Sequence, residues 1–244
     1  LSDRKLRNYW ASSGATSLLP KFVENMEMKM EYFDHCFIEG DTLETSDVVN
    51  GGAELFLYQL GYLTIKGYDD GVYILGFPNF EVRKALYRVV VPALTMKSNS
   101  EVVSAQSFLR KMMQDGNTAE AKKALKALIA DVPYSNKKMA SMDMEERYRL
   151  IMSTIFRALG FRVEVERMLA TGRIDMIVEV PSIIYVLELK LSNNGGISAA
   201  ESQIKDKSYT EPFKADKRKV IALAVELDET GKGLIDWKEV DEGV

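Results

Sequence analysis

The chain has 244 residues, enough for one large domain or two modest ones that each bury a core. Hydrophobic residues make up 46% and charged residues 28%, an ordinary globular balance, and no apolar run approaches the roughly 18 residues of a membrane-crossing helix. A net charge of −4 argues against a general nucleic-acid coat, though it leaves room for a local basic patch; the one cysteine excludes a disulfide framework and fits a reducing, cytoplasmic setting.

The first residue is Leu rather than Met, as in a processed or truncated piece of something longer. Residues 1–97 form the first region. "SLLPKFVENM" and "GGAELFLYQLGYL" have helical patterning, and the second runs into "GYLTIKGYDDGVYILGF". That stretch reads as two strands around a turn at Asp69–Asp70–Gly71, a β-hairpin. "NFEVRKALYRVVVPAL" follows with Asn79 as N-cap and Val82, Leu86, Val89 and Val90 at helical spacing. Helix, hairpin and helix together resemble a winged-helix unit, but the hairpin tip has few Lys and Arg with which to read DNA.

Residues 98–138 are expected to be a helical connector. Two helices break at "QDGN", and "TAEAKKALKALIA" has Thr118 as a cap with Leu125, Leu128 and Ile129 as its apolar stripe. Lys122, Lys123 and Lys126 then make a solvated face. "SNKKMASMD" supplies a polar boundary near residue 140.

Residues 139–244 read as α-β-β-β-α-β. "MEERYRLIMSTIFRALG" is an amphipathic helix stopped by Gly160. "FRVEVERML" alternates as a half-buried strand, and "GRIDMIVEVPSIIYVLELK" gives two more around Pro181–Ser182. "ISAAESQIKDKSYTEPF" is helical, and "KVIALAVEL" is a buried strand.

The two strands around Pro181–Ser182 contain three charges that an apolar sheet does not need. With either a two- or a four-residue loop centred there, Val180 meets Ile183 and Val178 meets Tyr185. The same register carries outward to Asp175 against Glu188, with Lys190 on the same face. Directly opposed side chains lie about 5 Å apart, and two carboxylates there repel by roughly 3 kcal/mol at an effective dielectric near 20. Lys190 offsets part of that repulsion, and a divalent cation reverses it. A salt-bridged cluster at a solvated sheet edge is the bland alternative.

Asp175 in "GRIDMIV" and "ELK" at 188–190, after a helix and a strand, resemble the PD-(D/E)XK nuclease superfamily. The resemblance implies a restriction-endonuclease-like α/β (α+β) domain of αβββαβ order, preceded by a mostly helical, winged-helix-like region. It implies that Asp175 and Glu188 ligate Mg²⁺ (or Mn²⁺), that Lys190 positions or activates the attacking water, and that DNA is the substrate. The family's acidic residue on the first helix corresponds to Glu145 or Glu146. Glu145 shares a stripe with Tyr148, Met152, Ile155 and Leu159, and is preferred. The later helix offers Gln203 and Lys207 for the family's Gln or Lys. Lys205, Lys207, Lys217 and Arg218, among Lys214 and Lys219, are either a solvated face or phosphate contacts.

A longer match, from "NYWASSGATSLLPKF" through "KVIALAV", resembles a bacterial family in which this nuclease domain follows an AAA-ATPase-like domain. Residues 1–97 would then be the last segment of the ATPase-like region. No G-x-x-x-x-G-K-[ST] occurs, so any nucleotide site would lie in sequence outside this chain. Where the family often has a His after the aromatic of the first helix, this chain has Arg149. His35 and Cys36 stand alone and are too few for a metal site.

Overall fold

The computed structural model describes residues 30–44, 52–130 and 142–241. The helix expected at "SLLPKFVENM" and the boundary near residue 140 lie outside the described residues. The chain divides into two compact units, residues 1–90 and 91–244.

In the first unit, β1 (Cys36–Glu39), β2 (Thr64–Asp69) and β3 (Val72–Gly76) form an antiparallel sheet of order β1-β3-β2. Helices α1 (Gly40–Leu43) and α2 (Gly52–Gln59) precede the hairpin, and α3 (Phe80–Thr95) follows it. The hairpin turn falls at Asp70–Gly71, with φ of 42° and 86°, the left-handed pair that a tight two-residue turn requires. Asn79 caps α3 as expected: its Oδ1 accepts from Val82 N at 3.0 Å. β1 is a third strand that the sequence pattern did not announce. Cys36 is buried, and its thiol is pushed up to about 11 by burial and by the Glu54 charge.

The second unit is built on a five-stranded mixed sheet of order β4-β5-β6-β7-β8. Its strands are β4 (Arg162–Leu169), β5 (Gly172–Glu179), β6 (Ile183–Leu191), β7 (Lys219–Leu227) and β8 (Leu234–Val240). β6 and β7 are parallel and the other neighbours antiparallel. The parallel pair needs a crossover, which α7 (Gly196–Lys207) supplies. Strand alternation divides the core. Ile183, Tyr185, Leu187 and Leu189 of β6 join one cluster with the stripe of α6 (Met144–Ala158), while Ile184 and Val186 join the cluster under α7, with Tyr209 and Phe213. α6 is capped by Asp143, whose side chain accepts from Glu145 N, and the turn after it uses Gly160 at φ 84°.

The order α6-β4-β5-β6-α7-β7 is the expected αβββαβ, with β8 added at the edge. The helical pair expected as a connector does more than connect. From α4 (Asn99–Asp115) and α5 (Thr118–Ile129), Leu109, Met113, Leu125, Leu128 and Ile129 are all buried in the larger cluster of this unit. Tyr185 Oη donates to Met113 O at 2.6 Å and pins the end of α4 to the sheet. Two local expectations are corrected. Asn117 rather than Thr118 caps α5, accepting from Glu120 N at 3.1 Å, and Thr118 Oγ1 donates instead to Glu239. Lys122 and Lys126 are not merely solvated, since they reach Asp236 (2.6 Å) and Ile235 O (3.1 Å) on β8. Among the described residues no helix is long and apolar enough to cross a membrane.

Candidate functional site

The β5–β6 hairpin closes over a two-residue loop, with Val180 N donating to Ile183 O at 2.9 Å. Its ladder runs Glu179–Ile184, Val178–Tyr185, Ile177–Val186 and Met176–Leu187, as the turn dictates. The next step would oppose Asp175 and Glu188, and there the ladder stops. Asp175 Oδ2 takes the place of a backbone acceptor and receives Leu189 N at 2.9 Å. On its other side the β4–β5 ladder passes from Val165–Met176 to Arg167–Ile174, skipping Glu166 and Asp175. Glu166 sits at φ 55°, uncommon for any residue but glycine.

Burial is the main fact about this locality. Asp175 is 3% exposed and Glu188 0%. Glu188 Oε1 accepts from Lys190 Nζ at 2.7 Å. Its Oε2 is buried with no hydrogen-bond partner among the described residues. Burial first, and then the Asp175 charge, push the Glu188 carboxyl up to about 8 against the hydrogen bond and charge of Lys190. For Lys190, burial acts to lower the ammonium pKa, but the hydrogen bond and charge of Glu188, with Asp175 and Glu145, raise it on balance. Lys190 is therefore a retained cation rather than a base at ordinary pH. Glu145 is raised by burial and by Asp175.

Glu145 lies beside this group but is engaged: Arg149 Nη2 donates to its Oε1 at 3.1 Å. The same guanidinium donates through Nη1 to Glu166 Oε1 at 3.1 Å and lies 3.6 Å from Asp175 Oδ1. Arg149 and Glu166 are the residues that sequence reasoning did not assign. The i,i+4 spacing of Glu145 and Arg149 was visible, whereas no sequence signal marks Glu166 for a left-handed backbone.

The remaining expected residues sit around this centre. Glu146 has no contact with the group among those described. Gln203 Nε2 donates to Tyr209 Oη at 3.0 Å, and Tyr209 donates in turn to Arg173 O at 2.7 Å. The Tyr209 hydroxyl is raised by burial, with Glu188 and Asp175 adding to it, and its bond to Arg173 O ties the Gln203–Tyr209 pair to the strand that carries Asp175. Lys205 is paired along its helix with Glu201 at 2.8 Å. Arg218 forks onto Asp216 and reaches Glu179 at 2.8 Å. Lys207 and Lys217 are exposed.

Among the described residues no three His, Cys, Asp or Glu gather as a metal cage. Magnesium needs no such cage, because it takes one or two carboxylates and keeps water for the rest. The donor set fits that ion: Asp175 and Glu188 are hard oxygen ligands, and Glu188 Oε2 has no donor among the described residues.

Residues 143–237 match the PD-(D/E)XK nuclease superfamily. The match begins at the α6 cap and ends in β8, so it contains every residue of the acidic group. A curated relative over nearly the whole chain is the uncharacterized protein in the vnfD 5′ region of Azotobacter chroococcum mcd 1. It is 24% identical over 96% of this chain, and the match spans 46% of that relative's own length. No solved structure matches.

Proposed function

We propose that this chain is a metal-dependent nuclease that hydrolyses phosphodiester bonds of DNA, with Asp175 and Glu188 holding Mg²⁺ or Mn²⁺. The observation that carries the reading is Glu188 Oε2, a fully buried carboxylate oxygen facing another buried acid with no donor to satisfy it. Two carboxylates so placed destabilise the sheet unless a proton or a cation sits between them. When bound, the cation supplies charge to the scissile phosphate and acidifies water beside it. Lys190 remains protonated and tethered to Glu188, so its other N–H bonds are free to orient the attacking water and to steady the phosphate's growing charge. Glu145 borders the centre without a free pair of oxygens, and Gln203 fixes Tyr209 at the rim. Lys205, Lys207 and Lys217 would contact phosphates, whereas Arg218 stays on Glu179 and Asp216; the ATPase-like region expected ahead of this segment belongs to the same proposal.

The test is Mg²⁺- or Mn²⁺-dependent cleavage of plasmid and single-stranded DNA by the wild type and by Asp175→Ala. Cleavage that needs the metal and disappears in the variant is the expected result. Equal background nicking by both proteins, with and without metal, would end the reading.

A further inference from the structure

The metal-dependent reading leaves Arg149 without a role, and the inference drawn here rests on that reading. Arg149 is 8% exposed, yet its guanidinium meets three carboxylates: Glu145 at 3.1 Å, Glu166 at 3.1 Å and Asp175 at 3.6 Å. Its Nε is buried without a partner among the described residues. An arginine buried for stability alone would use its whole fork.

The distortion around it is local and directed. Glu166 takes φ 55°, a conformation unfavourable for any side chain with a Cβ, while the ladder on both sides keeps one register. Only Glu166 and Asp175 leave the ladder, and both leave it where they meet Arg149. Strain confined to the residue beside a site is a feature that function maintains against stability.

Charge points the same way. The group holds Glu145, Glu166, Asp175 and Glu188 against Arg149, Lys190 and the half-exposed Arg173. Acids still outnumber cations with Arg149 in place, so a cation can be taken up without displacing it. Arg149 therefore does not stand in for the metal and need not leave when it binds.

We propose that Arg149, seated on Glu166, is the positioning residue of the site. It holds Asp175 and Glu145 against their mutual repulsion, so that Asp175 presents its oxygens in one arrangement with or without the metal. Its signature separates affinity from turnover. Losing the cation makes the site more negative, so Mn²⁺ binds more tightly, but to a carboxylate no longer held in place.

The experiment uses the full chain, with calorimetric Mn²⁺ titration and steady-state plasmid cleavage for wild type, Arg149→Met and Glu166→Gln. Arg149→Met should bind Mn²⁺ about threefold or more tightly, since one nearby positive charge is gone. Its kcat should fall roughly 10- to 100-fold, the usual cost of losing an outer-sphere partner, with little change in KM. Glu166→Gln removes a negative charge and should bind Mn²⁺ more weakly, again with lower kcat. Arg149→Lys, which keeps the charge but reaches fewer carboxylates, should recover part of the turnover. Affinity and kcat both unchanged in Arg149→Met, or both falling together with the melting temperature, would overturn the proposal. If Arg149→Met does not fold, Glu166→Gln decides, and wild-type affinity and kcat there would overturn it. A wild type that takes up no Mn²⁺ ends the metal reading and this inference together, whereas uptake unaltered by both variants ends this inference alone.

Discussion

The two ends of the β5–β6 hairpin treat their carboxylates in opposite ways. At the turn end, Glu179 is met by Arg218 at 2.8 Å and Arg162 at 3.6 Å, and Arg218 also forks onto Asp216. The hydrogen bonds from Arg218 hold the Asp216 carboxyl down at about 2. Cations there match or outnumber acids, and water reaches all of them. At the open end, Asp175 and Glu188 are buried, an oxygen of Glu188 lacks a donor, and Glu188 is driven up to about 8. One end is what ion pairing for solubility and modest stability looks like. The other keeps an arrangement that costs stability, and the cost has to be explained by something that binds there.

The largest expected effect tests that difference directly. Mn²⁺ at a hundredfold excess over its Kd should stabilise the wild type by about 2.7 kcal/mol. Glu188→Gln should remove that gain, while the metal-free variant melts no lower than wild type because the amide imitates the uncharged carboxyl. Thermal melts of both proteins with and without Mn²⁺ read this out. A metal-free Glu188→Gln that is clearly less stable would make the open end a structural ion pair like the turn end.

Next in size is the backbone role of Asp175. Its Oδ2 is the acceptor for the buried Leu189 N–H. Asp175→Ala leaves that donor unsatisfied and should cost about 1–3 kcal/mol. Asp175→Asn keeps an acceptor and should lose much less stability, although it loses the metal response equally. Urea unfolding of the two variants side by side measures the gap. Equal losses would mean that charge, not the hydrogen bond, holds Asp175 in place.

The open end should also respond to pH where the turn end does not. Glu188 is raised from its ordinary 4.5 to about 8, so the folded protein holds a proton that the unfolded chain releases. Stability of the metal-free protein should therefore be highest near the low end of that window, fall as pH rises toward 8, and level off above it. Metal must displace the same proton, so Mn²⁺ affinity should rise with pH by up to about tenfold per unit below 8 and flatten beyond. Calorimetry between pH 5.5 and 9 measures the slope. An affinity that is flat across pH 6 to 8 would mean that Glu188 is already ionised in the folded state.

The contrast between the ends was only partly legible in the sequence. Hairpin register follows from the turn and from the strand period of two, and both are local, so Asp175, Glu188 and Lys190 could be brought together from spacing alone. The helix caps at Asn79 and the stop at Gly160 were legible for the same reason. Arg149 and Glu166 were not, because their meeting depends on a left-handed backbone at a glutamate. β8 escaped because "LIDWKEV" buries every third residue, not every second, alongside a register shift at Glu226–Leu227. For α4 and α5 the apolar stripes were visible, but a stripe does not name the surface that covers it. The resemblance to the nuclease superfamily supplied the expectation of an acid on α6, and helical spacing with Tyr148, Met152, Ile155 and Leu159 chose Glu145 over Glu146.

The smallest expected effect belongs to the turn end. Arg218→Ala removes a partly exposed cation from Glu179 and Asp216. Pairs of that kind contribute about 0–1 kcal/mol and weaken as salt is added. It should leave Mn²⁺ binding at wild-type affinity, since Arg218 pairs with Glu179 and Asp216 and not with Asp175 or Glu188. Its behaviour toward DNA is the sharper question, because Arg218 was expected among the phosphate contacts together with Lys205, Lys207 and Lys217. An arginine already held by two carboxylates would have to give them up to reach a phosphate, whereas Lys207 and Lys217 are exposed. Lys207→Ala and Lys217→Ala should each lower the slope of log affinity against log salt by about one. Arg218→Ala should leave that slope unchanged. A full unit lost in Arg218→Ala would show that the cation leaves Glu179 when DNA arrives, and the turn end would then join the open end as part of the working surface.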